Sequence, residues 1–354
     1  MAGVYISYPF CAQKCTYCNF ASGVFPRERE TRYLEVLLSE LRTAQWPWTP
    51  ETVYLGGGTP SQLAPAALAS ILAAIPGGQW PEATIEAAPG VLNREKLVAW
   101  RDAGINRVSL GVQSFVDKEL ARTGRRHTAE IVEREIALLR ETGIDSINVD
   151  LIAGLPGQTE ASWRQSLDWI ERLGVPHVSV YMLEVDEDSR LGRELLVLGS
   201  RYGAGDVPGE DAIADFYETA VERLARLGIE RYEISNFARP GFESRHNLKY
   251  WKREPYLGFG ADAHSFDGAM RWQNPETAAD YVSAPFAIER VPAEPISERF
   301  FLGLRLREGI VSDAFPEAVE KFVGDGLLER SNGRVRLTSR GVLLSNEVFA
   351  EFVP

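Results

Sequence analysis

Residues 3–18 read Gly3-Val-Tyr-Ile-Ser-Tyr8-Pro9-Phe10-Cys11-Ala-Gln-Lys-Cys15-Thr-Tyr17-Cys18. The first six form a near-continuous apolar run, the pattern of a parallel strand covered on both faces by helices. Pro9 ends the run, and the loop beyond it carries three thiols at spacing C-x3-C-x2-C. No other cysteine occurs in the 336 residues that follow. An odd, clustered set is not a disulfide framework. Thiolates suit soft metals and iron–sulfur clusters. A structural zinc site normally takes four protein ligands, and no fourth thiol or neighbouring histidine is available. A four-iron cluster on Cys11, Cys15 and Cys18 leaves one iron open to an exogenous ligand. A zinc site, or three plain thiols, is the competing reading.

The same rhythm continues downstream. Strands are expected at 3–8, 52–55, 84–87, 107–112, 146–152 and 177–183. Helices are expected at 28–43, 65–74, 94–103, 129–142 and 162–173. Six βα units predict an α/β fold, either barrel-like or doubly wound, and periodicity does not choose between them. Chemistry-bearing residues fall at strand ends. Cys11 follows the first strand and Gly56-Gly57-Gly58-Thr59-Pro60-Ser61 the second; Glu86 sits in the third, Gln113 ends the fourth and Asp150 closes the fifth. Ligands bind at the carboxyl ends of such strands, so these residues can converge on one pocket. Glycines let a backbone approach a ligand closely. A carboxylate in apolar surroundings needs a partner such as an ammonium or ribose hydroxyls, and Arg125 can pair with a carboxylate. Taken singly, each is as readily a plain turn or a solvated charge.

Beyond residue 184 the pattern changes. Residues 186–208 are rich in charge and glycine and read as an excursion or lid. A helix is expected at 210–227 and a strand at 231–234, whereas 236–266 is aromatic and glycine-rich without a clear period. The C-terminus predicts helices at 297–305 and 314–325, a hairpin at Asn332-Gly333 and a last helix at 338–352, a winged-helix-like unit. The expected division is a barrel over 1–235, a connecting region over 236–295 and a small α+β domain over 296–354.

Lys and Arg number 38 against 50 Asp and Glu, a net charge of −12. Such acidity disfavours sequence-independent phosphate binding, so no nucleic-acid partner is expected. No stretch reaches the roughly 18–20 apolar residues that cross a bilayer, and the N-terminus lacks the pattern of a secretory leader. The expectation is a cytoplasmic protein without an integral membrane segment.

The cysteine spacing, with Tyr17 before Cys18, resembles the radical S-adenosylmethionine superfamily. The resemblance narrows with Tyr5-Ile-Ser-Tyr-Pro9-Phe10-Cys11, GGGTPS at 56–61, NRVSLGVQSF at 106–115, GRRH at 124–127 and DLIAGLPGQT at 150–159. These look like the coproporphyrinogen dehydrogenase (HemN)-like branch. YEISNF at 232–237 and RHNLKYW at 245–251 then resemble its haem chaperone (HemW) subgroup, nearly end to end. That resemblance implies a partial (β/α)6 barrel of TIM type, one [4Fe–4S] cluster on Cys11, Cys15 and Cys18, S-adenosylmethionine chelated at the open iron, and haem. It implies cofactor contacts at Tyr5, Tyr17, Gly57, Gly58, Thr59, Glu86, Gln113, Arg125 and Asp150. Its HNxxYW haem motif falls on His246, Asn247, Tyr250 and Trp251. His264 is the alternative ligand, and His127 and His177 look structural. The partners implied are haem, a haem-accepting protein and an electron donor.

The chain also departs from the family pattern. Ser7 stands where the family often has His, Ala88 where Asn-Pro is common, Asn19 where Asp commonly follows the third cysteine, and Asp262 within the usually small-residue stretch GFGAxAHS. The dehydrogenase carries a further cysteine beside the motif, and Asn19 offers no thiol there. Asn19 and Ser7 weaken the alternative reading, anaerobic oxidative decarboxylation of coproporphyrinogen III. Another radical reaction, such as methylation, is the third reading.

Overall fold

A computed structural model describes residues 2–285 and 288–353. Six strands run parallel and pair in sequence order: β1 Gly3–Tyr8, β2 Thr52–Gly57, β3 Glu82–Ala87, β4 Arg107–Gln113, β5 Ser146–Ala153 and β6 His177–Met182. The order never reverses, so there is no doubly wound switch point, and the connectivity is that of a barrel. The crossovers carry α1 Arg27–Thr43, α2 Pro65–Ala73, α3 Arg94–Asp102, α4 Asp117–Thr123, α5 Ala129–Glu141 and α6 Glu160–Leu173. Alternation sorts each strand. Val4, Ile6, Val53, Leu55 and Ile85 are fully buried, in one core with Leu37, Leu68 and Leu97. Their neighbours Tyr5, Tyr54 and Glu86 are only half-buried and turn to the other face, the lumen.

The barrel is partial. Beyond β6 the sheet continues antiparallel through β8 (Asn236–Ala238) to β7 (Glu230–Arg231). On the other side β1 pairs in parallel with β9 (Tyr256–Phe259). The antiparallel strands β10 His264–Phe266, β11 Met270–Gln273 and β12 Arg290–Pro292 follow. Among the described strands β1 and β6 do not pair. Residues 236–295, set apart by sequence as a connecting region, thus supply strands to the barrel's own sheet on both sides. Strands of three or four residues carry too little alternation to be read as strands. Helices α7 Arg190–Leu196, α8 Glu210–Arg226, α9 Arg245–Trp251 and α10 Ala278–Ser283 complete this part.

The C-terminal unit holds α11 Pro295–Gly303, α12 Pro316–Gly324 and an antiparallel sheet of β13 Ile310–Val311, β14 Leu328–Ser331 and β15 Arg334–Leu337. Asn332 and Gly333 both take positive φ, 52° and 76°, as the two-residue hairpin requires. The single last helix expected at 338–352 is two, α13 Ser339–Leu343 and α14 Ser345–Ala350, because Leu344 (φ −108°, ψ 26°) leaves helical geometry. No helix among the described residues is long and apolar enough to cross a membrane.

Candidate functional site

The thiol loop leaves the carboxyl end of β1. Its base is pinned where Cys11 N donates to Gly23 O (2.9 Å) and Gly23 N to Pro9 O (2.9 Å). Thr16 N donates to Thr123 O at the end of α4, and Leu191 N in α7 donates to Thr16 O at 2.8 Å. The 186–208 excursion therefore packs on this loop, and Asn19 Nδ2 donates to Asp186. All three thiols are free and half-exposed. Burial pushes the Cys18 thiol up, so a thiolate there calls for a cationic partner, such as a bound metal.

The glycine turn after β2 abuts this loop. Gly58 N donates to Tyr8 O (2.7 Å) and Thr59 N to Phe10 O (2.9 Å). A Cβ on Gly58 would lie 2.7 Å from Phe10 O, so only glycine fits that approach. Gly57 N and Tyr54 Oη donate to the Glu86 carboxylate at 3.2 and 3.0 Å. Burial, then the neighbouring Asp150, pushes the Glu86 carboxyl up to about 7. Asp150 accepts from Ser109 Oγ (3.1 Å) and Asn148 Nδ2 (2.7 Å), and burial raises it too. Gln113 ends β4 with φ 71°, an uncommon backbone for a side-chain-bearing residue. Arg125 donates to Gly111 O at 2.6 Å and faces Tyr17 Oη at 3.5 Å, while its buried Nε has no partner among the described residues.

These side chains converge at the carboxyl end of the barrel, where the sequence placed them. An orphaned guanidinium N–H in electrostatic reach of Cys15 and Asp150, with the Glu86 and Asp150 carboxylates on β3 and β5, fits a ligand that carries one carboxylate and several donor groups. Tyr5 lies deeper, stacked on Tyr54 at 6.2 Å. Tyr54, Ser109 and Asn148 escaped the sequence reading. Their signal is alternation: each falls on the inward parity of its strand, shared with Glu86 or Asp150.

The HNxxYW residues lie at the opposite end. Glu82, the first residue of β3, accepts from Arg245 N (2.9 Å) and His246 N (2.8 Å), which sets α9 across the amino ends of the strands. His246 is wholly buried (0%). Its Nδ1 pairs with Thr52 Oγ1 at 2.9 Å and its Nε2 with Tyr250 Oη at 2.7 Å. Its ring stacks under Tyr54 at 5.3 Å. A Cβ on Gly3 would approach it to 3.1 Å. Tyr250 packs edge-on against Tyr256, Asn247 is half-buried, and Trp251 lies under the Arg305 guanidinium at 4.4 Å. Gly3, Thr52 and Glu82 begin their strands, so α9 closes the barrel floor. The structure gathers the two residue sets separately, at opposite ends of one lumen, and as placed His246 presents no free nitrogen to a metal.

The strand order and thiol loop define a class, the radical S-adenosylmethionine proteins. The Radical SAM superfamily model matches residues 5–170, and the HemN C-terminal domain model matches 292–344. The chain is 35% identical over 381 residues to the haem chaperone HemW of Bacillus subtilis, covering 100% of this chain and 99% of that one. It is 33% identical over 371 residues to the haem chaperone HemW of Lactococcus lactis, covering 99% and 96%. The chain belongs to the haem chaperone HemW family. Membership in the superfamily implies a [4Fe–4S] cluster and S-adenosylmethionine. The solved coproporphyrinogen III oxidase (HemN) of Escherichia coli shares the fold, with TM-score 0.84, 22% identity and coverage of 99% and 89%.

Proposed function

We propose that this protein binds haem and delivers it to haem-accepting proteins. In this reading Cys11, Cys15 and Cys18 hold the cluster, and an outside donor supplies its electron. Tyr5, Tyr17, Gly57, Gly58, Thr59, Glu86, Gln113, Arg125 and Asp150 hold S-adenosylmethionine. His246, Asn247, Tyr250 and Trp251 serve haem handling as the lumen floor. The observation that carries the reading is similarity over essentially the whole chain to proteins named haem chaperones. The loop's three thiols, with Asn19 where the dehydrogenase has a fourth, support it further. Haem titration and a coproporphyrinogen assay on one anaerobically reconstituted sample test it. Stoichiometric haem binding without porphyrinogen turnover supports the chaperone, and efficient conversion to protoporphyrinogen overturns it.

Glu86 gives a second expected result. A ligand that donates hydrogen bonds to its carboxylate favours the ionised form. S-adenosylmethionine affinity therefore rises with pH through the region of 7 and levels off above it. Glu86→Gln flattens the profile and weakens binding about tenfold, with cluster iron retained. A pH profile identical to wild type, measured by equilibrium dialysis, removes Glu86 from the site.

A further inference from the structure

Ser109, Asn148 and His177 lie side by side across β4, β5 and β6. All three are buried, and their side chains meet. Asn148 Nδ2 lies 2.7 Å from Asp150 Oδ1 and 2.7 Å from Ser109 Oγ. Ser109 Oγ in turn donates to Asp150 Oδ2 at 3.1 Å. One amide therefore supplies both oxygens of the Asp150 carboxylate, one directly and one through a hydroxyl. Each oxygen keeps a lone pair to spare, since a carboxylate offers about four acceptor sites. Ser179 Oγ, a third neighbour of the same nitrogen at 2.9 Å, gives its own proton to Asn236 Oδ1 of the YEISNF stretch at 2.9 Å.

These contacts fix the direction of every link in the column. An ionised carboxyl only accepts, so the Asn148 nitrogen faces Asp150 and its oxygen faces His177, 2.6 Å from Nδ1. Nδ1 must then carry the hydrogen. Burial, then the Arg107 charge, holds the ring neutral, so Nε2 is a bare lone pair and accepts from Tyr232 Oη at 2.9 Å. Tyr232 Oη itself accepts from Ser244 N at 3.2 Å. Donation thus runs one way, from a backbone N–H at the barrel floor to the Asp150 carboxylate. Turning any one link around would set two acceptors or two donors face to face in a buried site.

We infer that Asn148 and His177 are positioning residues for S-adenosylmethionine, holding both Asp150 oxygens as acceptors towards the donor groups of that ligand. The assignment rests on the cofactor site proposed above, and it gives Tyr232 of the YEISNF stretch the task of anchoring His177. A site residue locked by buried hydrogen bonds is what a preorganised ligand contact needs. Facing Asp150 are Glu86 on β3, Tyr54 on β2, Tyr181 on β6 and Arg125 beyond α4. Burial keeps both phenols neutral, and a guanidinium keeps its charge. Asp150 and Glu86 are therefore the pair that titrates, and the Asn148 donors make Asp150 the first of the two to ionise.

Nitrogen-15 NMR of the histidine-labelled, cofactor-free chain tests the column directly, with His177→Phe assigning the signal. His177 is expected as the neutral Nδ1–H tautomer throughout about pH 5 to 8, and the Nε2–H tautomer overturns the inference. Equilibrium dialysis of S-adenosylmethionine across pH then tests the role, on cluster-loaded wild type, Asn148→Ala, His177→Phe and His177→Gln. Loss of its donors disfavours the Asp150 carboxylate, so the pair ionises fully only at higher pH. In Asn148→Ala the rise in affinity near pH 7 should move up by about one pH unit, and affinity at pH 7 should fall about tenfold. His177→Phe should move it the same way but less, and His177→Gln, whose amide can donate to Asn148 Oδ1, should restore it. Thermal melts and cluster absorbance confirm that each variant folded. A loss of affinity that is uniform in pH, or no loss, in the folded variants overturns the positioning role alone. Absence of S-adenosylmethionine binding by wild type overturns the cofactor site and this assignment together.

Discussion

Cys15→Ala protein, reconstituted anaerobically with iron and sulfide, is expected to hold only background iron and to lack the absorbance near about 400 nm of a thiolate-bound four-iron centre. On the proposed assignment of the cluster to Cys11, Cys15 and Cys18, S-adenosylmethionine binding goes with it, because two thiols would not hold the cluster that anchors that ligand. The loop itself should survive. Its anchors are backbone bonds from Cys11 to Gly23, Thr16 to Thr123 and Leu191 to Thr16, none of which uses a thiol. Cys15 is half-exposed and outside the core, so the apo variant should melt within about 0.5 kcal/mol of the apo wild type. The combination is diagnostic: complete loss of a cofactor with almost no loss of fold. Iron and sulfide contents equal to those of wild type would remove Cys15 from the ligand set.

The sequence exposes the carboxyl end of the barrel far better than the floor, for a physical reason. At the carboxyl end, each chemical group sits at the end of a long apolar strand, and the strand announces itself. Cys11, Gly57, Glu86, Gln113 and Asp150 are therefore legible one βα unit at a time. The floor is made by contacts that cross the chain. His246 meets Thr52 and Gly3 only because α9 is drawn under β3 by the Glu82 carboxylate. An imidazole among aromatics reads equally well as a ligand or as packing, and only its partners decide. The same is true of the polar column inside the barrel. Asp150 is tied to Asn148, Asn148 to His177, His177 to Tyr232, and Tyr232 to Ser244 beside the HNxxYW helix. Nothing local marks Asn148 as the joint between the two ends. The strands β8 to β12 were hidden for a simpler reason, being too short to show alternation.

His246→Ala should be the most damaging single change at the floor, at about 2–4 kcal/mol. It empties a buried ring volume beneath Tyr54 and leaves Thr52 Oγ1 and Tyr250 Oη without their partner. Tyr54 also holds Glu86, so S-adenosylmethionine affinity should fall although the substitution is at the other end of the barrel. The pH dependence separates this role from that of a surface ligand. Burial, then the Lys249 charge, pushes folded His246 down to about 3, from 6.5 as the ordinary value. The unfolded chain takes up the proton first as pH falls, so the neutral ring's contribution is whole above about 6.5 and is lost on descending towards 3. The slope is about 1.4 kcal/mol per pH unit for one such group. Buried carboxylates such as Glu40 and Glu86 act with the opposite sign, but they are common to wild type and variant. The stability gap between wild type and His246→Ala, from urea unfolding, should therefore be widest near neutrality and narrow steadily between pH 6.5 and 4. A gap below about 0.5 kcal/mol at pH 7, or one that does not change with pH, would mean that His246 is not a structural part of the floor.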